Sequence, residues 1–385
     1  MCRTFLRDLR DKKIEPPTTS LPIEHSETTH FIVNNYFFRL LPSTMGIRGL
    51  TGWIRWAAPA AIKSPNWASF TKKRIGIDIL GFLYKAKANK THPITYIAHL
   101  IAKCREYNII PIPVFDGKPP DEKRETIKQR NEARLKNDQK LQQLSTDIEN
   151  VDMTKEQRDT LTKEIGSLSA GYVYVTTDER DEVKRLLYAA GVLFLNANGE
   201  ADNVLAYLMR RGELDAVMSN DMDLLARGVH TMLVPERMGV PGDTTGWIIY
   251  ELSNILQHAG LSYSQFLEMC VLMGSDYTNK AKSLPFKQSY FTIKYKGNLH
   301  KALESIRIMD FLPYDRAIDM LNGRNETVES LMSEKQWMKW SLWKKGDKNA
   351  IVSETPYLDI LRTQHLKDMD ADQFSKLYQS DILVL

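Results

Sequence analysis

Along the chain, the spacing of apolar positions changes repeatedly after residue 74, and the changes alternate. RIGIDIL (74–80) is a continuous apolar run and predicts a buried strand; IIPIPVFDG (109–117) predicts another. Between them, ITYIAHLIAKCREY (94–107) carries apolar residues at helical spacing. DERDEVKRLLYAAG (178–191) predicts an amphipathic helix with an acidic first turn and Gly191 at its end. Then follow a strand in VLFLNA (192–197), a helix in ADNVLAYLMRRG (201–212) and a strand in DAVMSN (215–220). TMLVPE (231–236) and GWIIYEL (246–252) predict two more strands. Alternation of this kind predicts an α/β fold, a mainly parallel central sheet flanked by helices. From residue 253 on, the patterns are helical throughout.

Two stretches break the alternation. Residues 121–168 are highly charged, rich in helix formers and poor in large apolar side chains, and Thr154-x-x-Gln157 predicts a capping box. Helices polar on most faces form a solvated hairpin or line a solvent-filled opening. Residues 1–44, with PPTTSLP and HSETTH, have no clear period and read as a disordered leader or a mis-assigned start, the working chain opening at Met45. Near the other end, Trp337, Trp340 and Trp343 lie three apart and read as a packing stripe.

Composition narrows the class. With 43% hydrophobic and 26% charged residues the chain has ordinary globular content, enough for one large domain or two. The net charge of +4 is small, so any basic surface must be local. Cys2, Cys104 and Cys270 form no CxxC pair, which argues against a thiolate zinc site and a disulfide framework and fits a reducing compartment. No apolar run approaches the roughly 18 residues of a membrane span. FIVNNYFFRLL (31–41) is interrupted by Asn34, Asn35 and Arg39, with no small-residue cleavage site after it. The expected setting is intracellular, nuclear or cytoplasmic, away from membranes and not secreted.

The acids carry the chemistry. In VMSNDMDLLARG (217–228), Asp221 and Asp223 follow an apolar run and repel each other. Asp78 lies near the end of one predicted strand and Asp116 closes another; Glu200 and Asp202 enter a helix; Asp276 sits in CVLMGSDY. A single Asp at a strand end is more often a turn or cap residue. In an open parallel sheet, however, the carboxyl ends of the strands face one ligand crevice, where Asp78, Asp116, Asp221 and Asp223 can converge. Clustered carboxylates without cations raise one another's pKa. Oxygen donors without His or Cys suit Mg²⁺ or Mn²⁺ rather than zinc. Two such ions about 3.5–4 Å apart activate water and stabilise a leaving oxygen at phosphorus.

MGIRGL (45–50), GID (76–78), VFDGKPP (114–120), GEAD (199–202), NDMD (220–223) and LMGSDY (272–277) stand in the order and spacing of a known family. Over residues 45–305 the chain resembles the flap endonuclease/XPG family of structure-specific 5′ nucleases. The resemblance implies a PIN-like 5′-nuclease fold with a nuclease core over 45–252, including a helical gateway at 121–168 for a single-stranded 5′ end. It implies a helical DNA-binding extension over 253–310 and assigns no role to 311–385. It also implies two Mg²⁺ ions, with Mn²⁺ as substitute, held by Asp78, Asp116, Glu200, Asp202, Asp221, Asp223 and Asp276. The family's second acid in the GEAE motif is Asp202 here, one methylene shorter. Lys123 and Arg130 match the family's Lys and Arg that face the scissile phosphate; seven residues apart on a helix, they would share a face. By position alone Lys128 or Arg134 would serve equally well. Tyr84 matches the residue that stacks on the first base, and Gly46 the glycine close to the substrate.

The family's Gly-Ile-Gly-Pro-Lys turn, which usually holds potassium, is not matched. Ser283 and Pro285 stand where glycines would, and proline lacks both an N–H and glycine's backbone freedom. Lys287 keeps the turn lysine. Across 280–307, Lys280, Lys282, Lys287, Lys294, Lys296, Lys301 and Arg307 face one acid, Glu304, with Tyr290, Phe291 and Tyr295 interleaved. That pattern suits a nucleic-acid backbone, or a solvated helix face. QSDILVL at the C-terminus lacks the family's sliding-clamp peptide. Together these point to a divergent member, with a viral source as one reading; a monomer is expected. The implied activity is endonuclease and 5′–3′ exonuclease cleavage of DNA at 5′ flaps or junctions. An RNA-cleaving member, or a binding module without turnover, stays open.

Overall fold

The computed structural model describes residues 46–148, 153–170, 174–235, 247–278, 283–323, 326–346 and 355–378. The expected leader 1–44 and Met45, and Lys280 and Lys282 of the basic patch, lie outside them. Among the described residues no helix is long and apolar enough to cross a membrane.

Within those residues one sheet contains β1 (Ile62–Lys63), β2 (Arg74–Asp78), β3 (Ile110–Phe115), β4 (Leu195–Asn196), β5 (Ala216–Met218), β6 (Thr231–Pro235) and β7 (Trp247–Glu251). Helix α1 (Leu50–Ala57) precedes the sheet, and α2 (Ile79–Ala88) and α3 (Pro93–Glu106) join β2 to β3. Between β3 and β4 lie α4 (Arg124–Ile148), α5 (Lys155–Ala170) and α6 (Thr177–Ala189). Helix α7 (Ala201–Arg210) joins β4 to β5, and the single turn α8 (Asp223–Ala226) joins β5 to β6. After β7 come α9 (Leu252–Ala259), α10 (Tyr263–Met273), α11 (Phe286–Lys296), α12 (Leu299–Ser305), α13 (Leu312–Asn322), α14 (Val328–Leu331), α15 (Glu334–Lys344), α16 (Thr355–Gln364) and α17 (Ala371–Ser375).

The strand order is β1-β7-β6-β5-β2-β3-β4. The five strands from β6 to β4 run parallel; β7 is antiparallel to β6, and β1 to β7. The chain therefore builds outward from β2 through β3 to β4, then crosses back to lay β5 and β6 on the other side of β2. Strand order reverses between β2 and β5, so the ligand crevice of such a sheet opens outside the carboxyl ends of these two strands.

Period-two alternation within the strands feeds two cores. Ile75, Ile77 and Met218 point to the side of α2, α3 and α6, whereas Ile112, Val114 and Val217 point to the side of α1, α7 and α10. Gly76 lets α7 press on β2: a Cβ there would stand 2.5 Å from Leu205 and 2.7 Å from Leu214.

Two expectations change. RIGIDIL is not all strand, since β2 stops at Asp78 and α2 starts at Ile79. VLFLNA contributes only Leu195–Asn196, because β4 is an edge strand with two residues paired to β3. In the region 311–385, to which no role was assigned, the described residues 355–378 pack on the core. Leu358, Leu361, Leu366 and Phe374 enter the core beside α3 and α6. Arg105 donates to the carbonyls of Lys376 and Leu377 at 3.1 and 2.9 Å. The tryptophan stripe packs as expected, with Trp340 and Trp343 buried and stacked at 5.2 Å.

The charged segment forms two helices that run against each other, joined by a Lys140–Glu164 ion pair of 2.7 Å. The Thr154/Gln157 capping box is made in both directions, at 2.9 and 3.3 Å. Helix α4, of 25 residues, is about 37 Å long at 1.5 Å per residue.

Candidate active site

Asp78 is the last residue of β2, Asp116 follows β3, and Asp221 and Asp223 follow β5. The neighbouring carboxyl ends of these strands bring the four into one crevice. Ser219 links two of them: its hydroxyl donates to Asp78 Oδ2 at 2.8 Å and accepts from the Asp221 N–H at 2.9 Å. The Asp223 N–H donates to Asp221 Oδ1 at 3.0 Å, and the Ile47 N–H donates to Asp223 Oδ1 at 2.5 Å. Asp116 Oδ1 accepts from the Ala201 N–H at 2.8 Å, so Asp116 caps α7 from the neighbouring strand. Glu200, at the N-cap position itself, makes no side-chain cap bond. Its carboxylate instead meets Lys123 Nζ at 2.5 Å and Arg227 at 3.2 Å. Lys123 Nζ also lies 3.8 Å from Asp276 Oδ2.

Electrostatics show how crowded the carboxylates are. Burial and the charge of Asp116 push the Asp78 carboxyl up to about 7. Burial, with Asp221 beside it, holds Asp223 well above the usual carboxylate range. Burial with Asp221 and Asp78 does the same to Asp202, which places it among them. Asp116 and Asp221 are raised too, first by burial. Glu200 is the exception: burial pushes it up, but Lys123 and Arg227 outweigh that and hold it low. Such a set is short of positive charge, and its donors are all oxygen, which fits Mg²⁺ or Mn²⁺. Among the described residues no three acidic, His or Cys side chains are closed up as a finished metal cage. Lys123 and Arg227 stand among the acids, Lys123 between Glu200 and Asp276 and Arg227 against Glu200.

Lys123 differs from expectation. It closes a 3₁₀ turn, Asp121–Lys123, directly before α4, rather than riding on the helix. Arg130 lies in α4, and its side chain is outside the described residues. Tyr84 sits half-buried on α2. Gly46 adopts φ +75°, and a Cβ there would stand 2.7 Å from Asp221 Oδ1 and 2.8 Å from Asp223 Oδ1. Gly46→Ala therefore meets a left-handed penalty of about 1–2 kcal/mol plus a clash with both acids. The expected result is a protein that still folds, with a lowered melting temperature. An unchanged melting temperature would show that the 46–47 backbone does not shape the acid pair.

The basic patch is reached by α11. Pro285 occupies the N-cap position of α11 with no side-chain cap bond. Phe286 packs beside Gly49 and Gly52 and lies 6.3 Å from the Trp56 ring. Lys287 Nζ rests 5.3 Å over that ring, and Lys296 is exposed at the end of α11. The Lys294 ammonium is occupied internally, donating to Ala259 O at 3.0 Å and Tyr290 Oη at 2.6 Å.

Sequence reasoning missed Ser219, Tyr277 and Arg227. Arg227 is 2% exposed, and its one signal was an arginine in an otherwise apolar stretch, LLARGV.

Fold and site define an α/β protein that collects carboxylates and a lysine at the topological switch point of a parallel sheet, an arrangement suited to phosphate chemistry. Residues 45–137 match the XPG N-terminal domain and residues 191–276 the XPG I-region. Flap endonuclease 1 of Osmerus mordax is 30% identical over 318 residues, covering 77% of this chain and 79% of the relative. The same fold occurs in the catalytic core of Rad2 in complex with DNA substrate, with TM-score 0.54, 21% identity, and 87% of this chain and 96% of that one covered. It occurs also in the Holliday junction-resolving enzyme GEN1 in complex with product DNA and Mg²⁺, with TM-score 0.53, 17% identity, and 83% and 73% covered. The chain belongs to the flap endonuclease/XPG family.

Proposed function

We propose that this protein is a divalent-metal-dependent, structure-specific nuclease that hydrolyses DNA phosphodiesters at 5′ flaps or junctions, as endonuclease and 5′–3′ exonuclease, in replication, repair or recombination. The observation that carries the reading is the meeting of Asp78, Asp116, Asp221, Asp223, Glu200 and Lys123 in the crevice between β2 and β5. Asp202 and Asp276 complete the donor set. Two Mg²⁺ ions held there, or Mn²⁺ in their place, would lower the pKa of water and neutralise charge on the leaving oxygen. The chain's own part is to hold the carboxylates and supply Lys123. That ammonium is 16% exposed on a flexible stem, so it can exchange Glu200 for a phosphate oxygen as negative charge builds there. Arg130 is its partner in this reading. Tyr84 stacks the first base, and α4 and α5 form the gateway for a single-stranded 5′ end. The setting is intracellular.

A substrate panel tests this: 5′ flap, 3′ flap, nicked duplex, single strand and RNA, each with Mg²⁺ and with chelator. Preferential, chelator-sensitive cutting of the 5′ flap or junction is expected. Cleavage that survives chelation would remove the metal from the reading; preference for the RNA arm would move the substrate class to RNA.

Duplex binding through 283–307 relies on side-chain charge in this reading. Replacing K⁺ by Na⁺ at constant ionic strength should change affinity little, while raising total salt should weaken it steeply. Each neutralised phosphate adds about 0.9 to the slope of log affinity against log salt, so Lys287→Ala should reduce that slope by about one without moving the cut. A strong K⁺ preference would show that the Ser283–Pro285 turn still builds an ion site.

A further inference from the structure

Arg227 is the least expected charge in the molecule. Its neighbours in sequence are core residues: Leu224, Leu225, Ala226 and Val229 are all fully buried. The guanidinium itself is 2% exposed, so it cannot reach DNA without unfolding its surroundings. One terminal nitrogen donates to both Glu200 Oε2, at 3.2 Å, and the Tyr277 hydroxyl. The Tyr277 hydroxyl in turn donates to the same Glu200 oxygen. The other nitrogen donates to the Met320 carbonyl at 3.1 Å, in the last turn of α13, where helix carbonyls lack internal partners and the dipole favours a cation. The Tyr277 ring has Arg227 5.4 Å from its centroid and Lys123 at 4.9 Å. Stability alone is a poor reason for this residue. Its Nε–H is buried without a partner among the described residues, a costly arrangement that an apolar side chain would avoid.

The consequence lies at Glu200. Its Oε2 is fully engaged by Arg227 and Tyr277, while Oε1 faces Lys123. We propose that Arg227 is a positioning residue: anchored on α13, it clamps Glu200 through Oε2 so that only Oε1 is offered to the metal centre. The two cations near Glu200 then divide the work. Arg227 is permanent and orients; Lys123 is partly exposed and exchangeable. The inference rests on reading the acid cluster as a metal centre. It also gives α13, in the region without an assigned role, a part in holding the site. A planar fork is needed to reach Glu200, Tyr277 and Met320 together, so lysine is a poor substitute.

The test measures Mn²⁺ binding to DNA-free protein by electron paramagnetic resonance, for wild type, Arg227→Gln, Arg227→Lys and Tyr277→Phe. Partners that orient a metal ligand typically contribute about 10–100-fold in metal affinity or activity, and a weakening of that order is expected in both Arg227 variants. Tyr277→Phe, which keeps shape and the Arg227–Glu200 pair, should weaken binding in the same direction by less. The single-turnover cleavage rate at saturating DNA should fall, while DNA affinity in Ca²⁺ stays at the wild-type value. Thermal unfolding in chelator checks the fold; if Arg227→Gln is unfolded, Tyr277→Phe carries the test. Wild-type protein that binds no Mn²⁺ overturns the metal-centre reading and this assignment with it. Wild type that binds, with variants that bind as tightly or more tightly, overturns the assignment alone: Arg227 would then be a structural or merely opposing charge.

Discussion

Asp221→Asn/Asp223→Asn protein is expected to bind flap DNA nearly as well as wild type and to cut it several orders of magnitude more slowly. Asparagine keeps the shape and the accepting oxygen of each side chain. Asp223 Oδ1 can still receive the Ile47 N–H, and Asp221 Oδ1 the Asp223 N–H, as they do in the acid pair at 2.5 and 3.0 Å. The backbone around Gly46 and α8 is therefore retained, and removing two mutually repelling buried carboxylates should raise metal-free stability. What is lost is two negative donors at the centre of the cluster, and with them, if the cluster holds the proposed metal ions, most of the catalysis those ions would supply. The measurements are single-turnover cleavage in Mg²⁺ and binding of a fluorescent flap. Wild-type turnover in the double variant would sink the metal-site reading outright.

The second large effect is expected at Lys123. Lys123→Ala should lower the single-turnover rate about 10²–10³-fold, the scale of removing one preorganised donor from a transition-state site, with little change in affinity. The ammonium lies where the crevice opens, 2.5 Å from Glu200 and 3.8 Å from Asp276, so its removal also leaves those acids less compensated. A lower melting temperature in chelator should accompany the kinetic loss and be partly restored by Mg²⁺. Arg130→Ala is expected to act in the same kinetic sense. A variant with weakened binding and an unchanged rate for the bound complex would make either residue an ordinary phosphate contact.

These expectations draw unequally on sequence and fold. The acids were legible because their positions are local facts. An apolar run that ends in Asp, followed by a helical period, puts that Asp at a strand's carboxyl end whatever the neighbours are. The polar hairpin 121–168 and its Thr154 cap were legible for the same reason: helix propensity and capping act within a few residues. Boundaries that depend on pairing were not. VLFLNA has the composition of a six-residue strand, yet only Leu195 and Asn196 find partners on β3. Lys123 looked like the first of two residues on one helix face, but the chain takes a 3₁₀ turn there before α4 begins.

By itself, then, the sequence determined the α/β alternation and the order of the motifs that carry the acids, because strand and helix periods and turn chemistry are short-range. Only the tertiary structure decided that β5 crosses back to lie against β2, which brings Ser219 to Asp78 across 141 residues and, through Ser219, makes Asp78 a neighbour of the Asp221/Asp223 pair. It alone decided that the segment 355–378 closes the core beside α3, through contacts such as Arg105 to Leu377. It alone buried Arg227 against Tyr277, 50 residues on, and Met320, 93 residues on. Burial of a charge is set by whatever packs over it, and those groups come from parts of the chain that no local period connects.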